Sequence, residues 1–305
     1  MLKRSLKSLK QGENGDEHDE YQYLSLIKDI LNDGTMINGR NGNTLTVYGS
    51  AMHFNLENNV IPILTTKRVA WKTCAKELFW FLNGKTDNNI LRNQNVHIWD
   101  GNGCREFLDS RNLQHLEEND LGPVYGHQWR HFNATYKNCK TDYAGKGVDQ
   151  IQYIIDSLND PKERYSRRLV MSAWNPQQLN EMALPPCHIL AQFNVIGDKL
   201  SCSLYQRSGD VGLGVPFNIA SYSLLTHIIA KHCNLVASEF IYYLGNCHIY
   251  DDHIENLKDQ ITREPKEFPT IEIKNKYDSI NHYSLEDIEL FNYNSHTSIK
   301  MEMRK

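Results

Sequence analysis

One thiol and three guanidinium groups stand out in this sequence because their types and spacing could act together on one substrate. Arg167 and Arg168 precede Cys187, and Arg207 follows Cys187 by 20 positions. A thiolate can add to an electron-poor carbon, and a nearby guanidinium lowers the pKa of a thiol from about 8.5. Arginine also binds phosphate through paired, planar hydrogen bonds. The pattern therefore indicates covalent attack on a phosphorylated substrate.

The segments around Cys187 predict that it lies close to Arg207. Residues His188–Val195 and Lys199–Gln206 are rich in apolar residues, and Ile196-Gly-Asp198 between them is a hairpin signal. Because the strands of a hairpin begin and end side by side, we expect Cys187 and Arg207 at its open end.

The rest of the chain predicts long helices mixed with strands, which favours an α+β fold. Apolar spacing predicts helices at Tyr21–Leu31, Val69–Leu82, Val148–Leu158, Pro216–His232 and Asp252–Ile261. Strands are predicted at Leu169–Trp174, Glu239–Tyr250 and Thr270–Ile273, with two more in Asn43–Leu56 that join around Tyr48–Ser50. Residues 93–147 are predicted to be irregular. We expect a flexible charged tail at 1–20 and a single catalytic domain at 21–305.

Composition favours an ordinary globular protein in a reducing compartment. Of 305 residues, 40% are hydrophobic and 23% are charged, and the net charge of -4 does not indicate binding to nucleic acid. No apolar run reaches the roughly 18 residues of a membrane span, and no secretory signal opens the sequence. Seven cysteines without a CxxC pair fit neither a disulfide framework nor a common zinc site. We therefore expect a cytoplasmic or nuclear protein.

Several motifs together resemble the active-site signature of the thymidylate synthase family. They are Arg167-Arg168, Pro-Pro-Cys187-His, and the run from Tyr205-Gln-Arg-Ser to Val-Pro-Phe-Asn218. The similarity extends from Tyr21 to Met303, and the loop at 131–147 is more like the eukaryotic and large-DNA-virus members. The resemblance implies a large mixed β-sheet with surrounding helices and an obligate homodimer that packs through the sheet face.

The family resemblance also implies a reaction. It is the reductive methylation of dUMP to dTMP by 5,10-methylenetetrahydrofolate, a co-substrate that leaves as dihydrofolate, without a metal. In this family the arginines that match Arg167 and Arg168 complete the neighbouring subunit's site. Binding to an mRNA is a second activity that the resemblance allows, and no membrane partner is implied.

The resemblance assigns catalytic roles to five residues. Cys187 would add to C6 of uracil, which makes C5 nucleophilic, and Arg207 would favour the thiolate. Glu77 lies on an otherwise apolar helix, where burial would raise its pKa and suit it to acid and base catalysis. Tyr125 would lie near C5. Asn218 would read N3–H and O4 of uracil, a donor and acceptor pair that cytosine lacks.

The resemblance also assigns ligand contacts. The phosphate contacts would be Arg40, Arg167, Arg168, Arg207 and Ser208, and the sugar contacts would be His248 and Tyr250. Asp210 would serve both ligands, and the other folate contacts would be Trp99, Leu213, Gly214, Phe217 and Lys67.

The sequence departs from the family pattern at its C-terminal end and in one strand. Asn246 stands where the family has Asp, and Ser295 and Thr297 stand where it has Pro. Arg304-Lys305 replaces a small apolar ending. We expect the changes at the C-terminal end to loosen the segment that closes over the ligands and to slow catalysis. Asn246 keeps the hydrogen bond of an aspartate but loses its charge, and we expect its effect on activity to be modest.

Ordinary structural roles compete with each functional assignment. Cys187 could be a small buried side chain, and Tyr125 could simply anchor its loop. Arginines, Glu77 and Lys67 could lie on the surface, Asn218 could cap a helix, and His248 could be a core residue. Among functions, a deoxycytidylate hydroxymethylase is the near alternative, although that family reads cytosine with Asp at position 218. A catalytically inactive protein that binds RNA is the alternative from another class.

Overall fold

The computed structural model describes residues 18–39 and 41–304. The helices are α1 (Tyr21–Asp33), α2 (Trp71–Leu82), α3 (Asn88–Arg92), α4 (Asp100–Gly103), α5 (Arg105–Ser110), α6 (Tyr125–His131), α7 (Gln150–Asn159), α8 (Gly214–His232) and α9 (Ile254–Gln260). The strands are β1 (Thr35–Gly39), β2 (Gly42–Asn55), β3 (Val170–Ser172), β4 (His188–Ile196), β5 (Lys199–Asp210), β6 (Val236–Tyr250), β7 (Thr270–Ile273) and β8 (Ile288–Phe291).

Six strands form one large mixed sheet in the order β1-β2-β6-β5-β4-β3. The pair β5–β6 is parallel, and the other four neighbouring pairs are antiparallel. Strands β7 and β8 form a separate antiparallel pair. The predicted α+β class with a large mixed sheet is confirmed.

Helices cover one face of the large sheet and create the core there. Helix α8 contacts β5 and β6, and α1 contacts β2. Most side chains of α8 are buried around its whole circumference, which a helix between a sheet and further helices requires. The predicted helices at Tyr21, Val69, Val148 and Pro216 are confirmed within two residues at each boundary.

The other face of the sheet presents a row of large side chains to solvent. Leu190 pairs with Tyr205, and Tyr205 pairs with Tyr243, so the three side chains share a face across β4, β5 and β6. They are 38–41% exposed, and Tyr48 on β2 is 75% exposed. This row of residues, Tyr48, Leu190, Tyr205 and Tyr243, is called the tyrosine face below.

Two expectations about local structure were wrong. Residues 42–55 form one strand, not two, and Gly49 with a φ of 85° lets the strand continue through the expected turn. Residues 93–147 contain the short helices α4, α5 and α6, which are too short for sequence periodicity to reveal.

Residues 18–20, which the sequence analysis assigned to the tail, contact the folded body. Glu20 is fully buried, and its carboxylate accepts hydrogen bonds of 2.6–3.0 Å from the backbone and hydroxyl groups of Thr65 and Thr66. The rest of the predicted tail, at 1–17, lies outside the described residues.

None of the helices in the described part of the chain has both the length and the apolar character needed to cross a membrane.

Candidate active site

Cys187 and Arg207 meet at the open end of the hairpin formed by β4 and β5, as the sequence predicted. His188 pairs with Gln206, and the backbone N–H of Arg207 donates to the carbonyl of Cys187 at 2.9 Å. The Arg207 guanidinium lies 3.9 Å from the Cys187 sulfur. It also donates to the carbonyls of Pro186 and Pro185, at 2.7 and 3.0 Å, which fix its direction.

The pKa of Cys187 reflects burial more than the charge of Arg207. Burial raises the pKa of this thiol, Arg207 lowers it, and Asp210 raises it again. The charge of Arg207 therefore lowers the pKa of Cys187, as expected. Within one chain this effect is smaller than the increase that desolvation causes.

Tyr125, the first residue of α6, supports the backbone beside the thiol. Its hydroxyl oxygen accepts a 2.7 Å hydrogen bond from the N–H of Cys187. Its ring stacks on His188 at 4.0 Å, and His188 in turn contacts the hydroxyl of Tyr222 at 2.6 Å. Burial raises the pKa of Tyr125 well above its usual value and lowers the pKa of His188 to about 3, so both are neutral near pH 7.

Glu77 projects from α2 toward the same cluster and is only partly accessible. Its carboxylate accepts a 2.7 Å hydrogen bond from the indole N–H of Trp99, which is 7% exposed. Burial raises the pKa of Glu77 to about 7, although the Trp99 hydrogen bond opposes the shift. The structure thus excludes an ordinary surface glutamate and leaves a carboxyl group that can gain or lose a proton at neutral pH.

Asn218 lies in α8 but does not cap it. The helix begins at Gly214, its N-cap residue is Leu213, and no side chain caps the first turn. Among the described residues, no hydrogen bond to the Asn218 carboxamide is found, and its oxygen lies near Gly214. Its donor and acceptor are therefore available to a ligand.

The end of β5 and the residues after it form a tight turn. Asp210 accepts hydrogen bonds from the N–H groups of Gly212 at 2.9 Å and Leu213 at 3.3 Å. In the parallel register, Asp210 lies opposite His248, and Ser208 lies opposite Asn246. The C-terminal ends of the central strands β5 and β6 thus bring the predicted nucleotide and folate contacts together.

Asn246 preserves a hydrogen bond to His248 in β6. The Asn246 carboxamide oxygen and His248 Nδ1 are 2.9 Å apart. The rings of His248 and Tyr250 lie 5.3 Å apart and nearly perpendicular, on one face of the strand as predicted. Burial lowers the pKa of His248, and Asp210 raises it.

Arg167 and Arg168 do not join the Cys187 cluster of their own chain. Both side chains are exposed, and Arg168 makes a long ion pair of 3.5 Å with Glu163. Val170 in β3 pairs with Gln192, five residues beyond Cys187, which is about 17 Å along the strand. Arg40 lies outside the described residues.

Two further predicted folate contacts, Lys67 and Phe217, are buried or partly buried. Lys67 is 5% exposed and donates a hydrogen bond to the Gly212 carbonyl, so it is not a surface lysine. The Phe217 ring is partly buried against the core.

The C-terminal segment lies beside the residues that directly follow β6, at the same end of the central strands. Arg304 pairs with Asp251 at 3.3 Å and with Asp252 at 2.9 Å. The Glu302 carbonyl contacts the imidazole of His253 at 2.8 Å. These ion pairs could not be predicted from the sequence, because they join residues 52 and 53 positions apart.

One aromatic residue that contacts Arg207, and one that contacts its neighbour Gln206, were also missed. The Arg207 guanidinium lies 5.5 Å from the ring centre of Trp174, and Gln206, beside Arg207, accepts a hydrogen bond from buried Tyr242. Trp174 is the last residue of the strand predicted directly after the motif arginines, which was the available signal.

Fold and site define a class of proteins that bring together one thiol, one guanidinium and a carboxyl group with a pKa of about 7 in partly desolvated surroundings. The thiol can attack an electrophilic carbon, and the carboxyl group can transfer a proton beside it. In the described part of the chain, no cluster of His, Cys, Asp or Glu could hold a metal ion.

Comparison with known proteins identifies the family. The family model described as thymidylate synthase matches residues 21–305. Human thymidylate synthase is 51% identical over 94% of this chain and 91% of its own length. The chain belongs to the thymidylate synthase family.

Bifunctional relatives are also similar but longer. The bifunctional dihydrofolate reductase-thymidylate synthase of Paramecium tetraurelia is 51% identical, and that of Zea mays is 49% identical, each over 94% of this chain. The chain spans 62% and 55% of their lengths.

Proposed function

We propose that this protein is a methyltransferase that converts dUMP and 5,10-methylenetetrahydrofolate into dTMP and dihydrofolate. The observation that carries the proposal is the convergence of Cys187, Arg207, Tyr125 and the Glu77–Trp99 pair at one end of the sheet. Family membership supplies the reaction, and this cluster supplies its chemical groups.

The reaction begins with addition of the Cys187 thiolate to C6 of the uracil ring. The electron pair of the C5–C6 double bond moves toward O4, so C5 becomes nucleophilic and attacks the methylene carbon of the folate. As the bond to C5 forms, the methylene carbon gives up one of its two bonds to folate nitrogen. Loss of the C5 proton then breaks its bond to the other nitrogen and releases tetrahydrofolate. Tetrahydrofolate transfers a hydride to the resulting exocyclic methylene and becomes dihydrofolate, while the C6–S bond breaks and Cys187 leaves as the thiolate. Glu77, with a pKa of about 7, can exchange protons with O4 and the folate nitrogen through water.

Asn218 is the proposed reader of the base. One carboxamide can accept from N3–H and donate to O4 of uracil, whereas cytosine presents no N3 proton. The open carboxamide of Asn218 supports this role. It also weighs against a deoxycytidylate hydroxymethylase, since the mismatched base would leave buried polar groups unpaired.

The functional unit in this proposal is a homodimer. The tyrosine face exposes four large side chains on a sheet whose other face is covered, which is typical of an interaction surface. Packing two sheets face to face would carry Arg167 and Arg168 to a second chain. They would then hold the phosphate of that chain's dUMP together with Arg207, Ser208 and Arg40.

His248 and Tyr250 are proposed to bind the sugar, and Trp99, Asp210, Leu213, Gly214 and Phe217 to line the folate site. Cytoplasmic or nuclear location and binding to an mRNA stay predictions.

A spectroscopic assay tests the proposed function. The purified protein is mixed with methylenetetrahydrofolate and either dUMP or dCMP, and the near-ultraviolet absorbance that marks dihydrofolate is followed. A rise with dUMP alone is expected. No rise with dUMP, or an equal rise with dCMP, would contradict the proposal.

A further inference from the structure

A buried carboxylate, that of Asp120, lies shortly before α6 and joins two segments of the chain. Asp120 is 1% exposed. The hydroxyl of Tyr136 donates to its Oδ1 at 2.7 Å, and the N–H of Gly122 donates to the same oxygen at 2.9 Å. The N–H of Cys139 donates to Oδ2 at 2.9 Å. Because a buried carboxylate is costly unless it is hydrogen-bonded, these donors fix its position. Asp120 therefore connects the loop at 131–147 to the segment that leads into α6.

The hydroxyl of Tyr136 also has a partner on its other side. Its single proton goes to Asp120, so the hydroxyl of Thr86, 2.8 Å away, is the donor in the contact between the two hydroxyl groups. Burial raises the pKa of Tyr136, and the neighbouring Asp120 raises it further, so the hydroxyl keeps its proton near pH 7. The carbonyl of Thr86 accepts from the N–H of Leu121 at 3.2 Å. Thr86 therefore contacts both Tyr136 and the segment that Asp120 holds.

Residues 121–124, which connect Asp120 to α6, have little room to move. The carbonyl of Leu121 accepts from the N–H of Ala183 at 3.0 Å. Gly122 has a φ of 73°, and a Cβ atom there would lie 2.1 Å from the carbonyl oxygen of Glu181. The backbone at this position is therefore restricted to glycine by both its conformation and its surroundings. A shift of Asp120 would be transmitted through this short, tightly packed segment to the first residue of α6.

That first residue is Tyr125, which contacts the thiol segment. Its hydroxyl oxygen accepts from the N–H of Cys187 at 2.7 Å. The centre of its ring lies 4.9 Å from that of Phe81 and 4.0 Å from that of His188. These contacts involve the side chain of Tyr125, whereas its backbone follows directly from residues 121–124. The direction in which the ring leaves the backbone therefore depends on Asp120.

We propose that Tyr136 is a positioning residue for Tyr125. It holds the Asp120 carboxylate, which fixes the segment before α6 and so places the Tyr125 hydroxyl beside Cys187 and, in the proposed complex, near C5 of uracil. The loop that carries Tyr136 thus takes part in catalysis through a chain of hydrogen bonds. This inference rests on the proposed function, since it concerns the proton that C5 loses.

The test removes the hydroxyl of Tyr136 in the presence and in the absence of the Tyr125 hydroxyl. Tyr136→Phe, Tyr125→Phe and the double variant are compared with the wild type. Tyr143→Phe is the matched control, because the Tyr143 hydroxyl accepts from the N–H groups of Lys137 and Asn138, within the loop, at 2.8 and 3.2 Å. The absorbance of dihydrofolate gives kcat and KM for both substrates. Calorimetry with dUMP shows whether the nucleotide site is folded.

The expected result is a loss of about tenfold in kcat for Tyr136→Phe, because a buried carboxylate loses one of its donors and shifts. Both KM values and the affinity for dUMP should change less than about twofold. In the Tyr125→Phe background, the same substitution should lower kcat by less than about twofold more, because the hydroxyl that Tyr136 positions is already gone. Tyr143→Phe should match the wild type within about twofold.

Equal losses with and without the Tyr125 hydroxyl would overturn the inference, because the effect of Tyr136 would then not pass through Tyr125. An unchanged kcat in Tyr136→Phe, or an equal loss in Tyr143→Phe, would overturn it as well. If Tyr136→Phe fails to bind dUMP, Asp120→Asn is assayed in its place under the same criteria, since it keeps an acceptor for Gly122 and loses the one for Cys139. A wild type that is inactive with dUMP would instead contradict the proposed function.

Discussion

The thiol side and the arginine side of the candidate site are built in opposite ways. Cys187 is partly buried, and its backbone and sulfur contact Tyr125 and Arg207 of the same chain. Arg167 and Arg168 are exposed and lie toward the other end of β4, and the Arg168 guanidinium makes an ion pair of 3.5 Å with Glu163.

The difference teaches which part of the chemistry one chain can supply. Burial and fixed hydrogen bonds hold the thiol side ready within a single chain, but they also raise the pKa of Cys187. Additional positive charge, from a second chain or from several arginines, would lower it again. In the proposed homodimer, a second chain would both cover the tyrosine face and add positive charge near the thiol.

The largest effect is expected on the thiol side. Cys187→Ser keeps the size of the side chain but replaces a thiol by a hydroxyl that is far less ionised, so turnover should fall by at least about 10⁴-fold. Size-exclusion chromatography and binding of dUMP should remain as in the wild type. Turnover close to the wild-type rate would show that Cys187 is not the nucleophile.

Substitution of Glu77 separates the contribution of this carboxyl group to catalysis from its effect on the stability of the fold. Glu77→Gln should reduce kcat by about 10²-fold or more, because the proton donor is lost. The same variant should be more stable than the wild type at pH 8. The pKa of Glu77 is about 7 in the folded chain against an ordinary 4.5, so ionisation costs stability as pH rises from 4.5 to 7.

Above pH 7 this cost reaches about 3 kcal/mol, and below pH 4.5 it vanishes. Urea unfolding of both proteins at pH 4.5 and pH 8 measures it. An equal stability difference at the two pH values would contradict the burial of an ionisable Glu77.

The smallest effect is expected at the exposed ion pairs of the C-terminal segment. Arg304→Ala removes the contacts with Asp251 and Asp252, whose side chains are 38–40% exposed. KM for the folate should rise by about threefold at low salt, and the difference should shrink at high salt because exposed charges are screened. A salt-independent change would show that Arg304 acts by packing and not by charge.

The local parts of the site could be predicted from the sequence, and the distant ones could not. The β4–β5 hairpin has alternating strands and a Gly-Asp turn, so the proximity of Cys187 and Arg207 followed directly. The burial of Glu77 followed from its apolar helix. These features depend on neighbours within a few turns or strand positions.

The buried position of Lys67 depends on residues far away in the chain. Gly212 is 145 positions from Lys67, and no periodicity reports such a contact. The contact between Glu20 and Thr65 also joins residues that are far apart in the chain, and the sequence did not predict it. The acidic composition of the first 20 residues predicted a tail instead. Long-range polar contacts form only when the whole fold brings single residues together.

The most direct test of a site completed by the second chain mixes two inactive variants. Cys187→Ser keeps both arginines, and the double variant Arg167→Ala with Arg168→Ala keeps the thiol. If the arginines serve a neighbouring chain, random exchange of subunits gives mixed dimers with one complete site each, and activity should return to about a quarter of wild type. Adding Tyr243→Asp to both variants should prevent the recovery. Activity that never exceeds the sum of the two variants would contradict a site completed by the second chain.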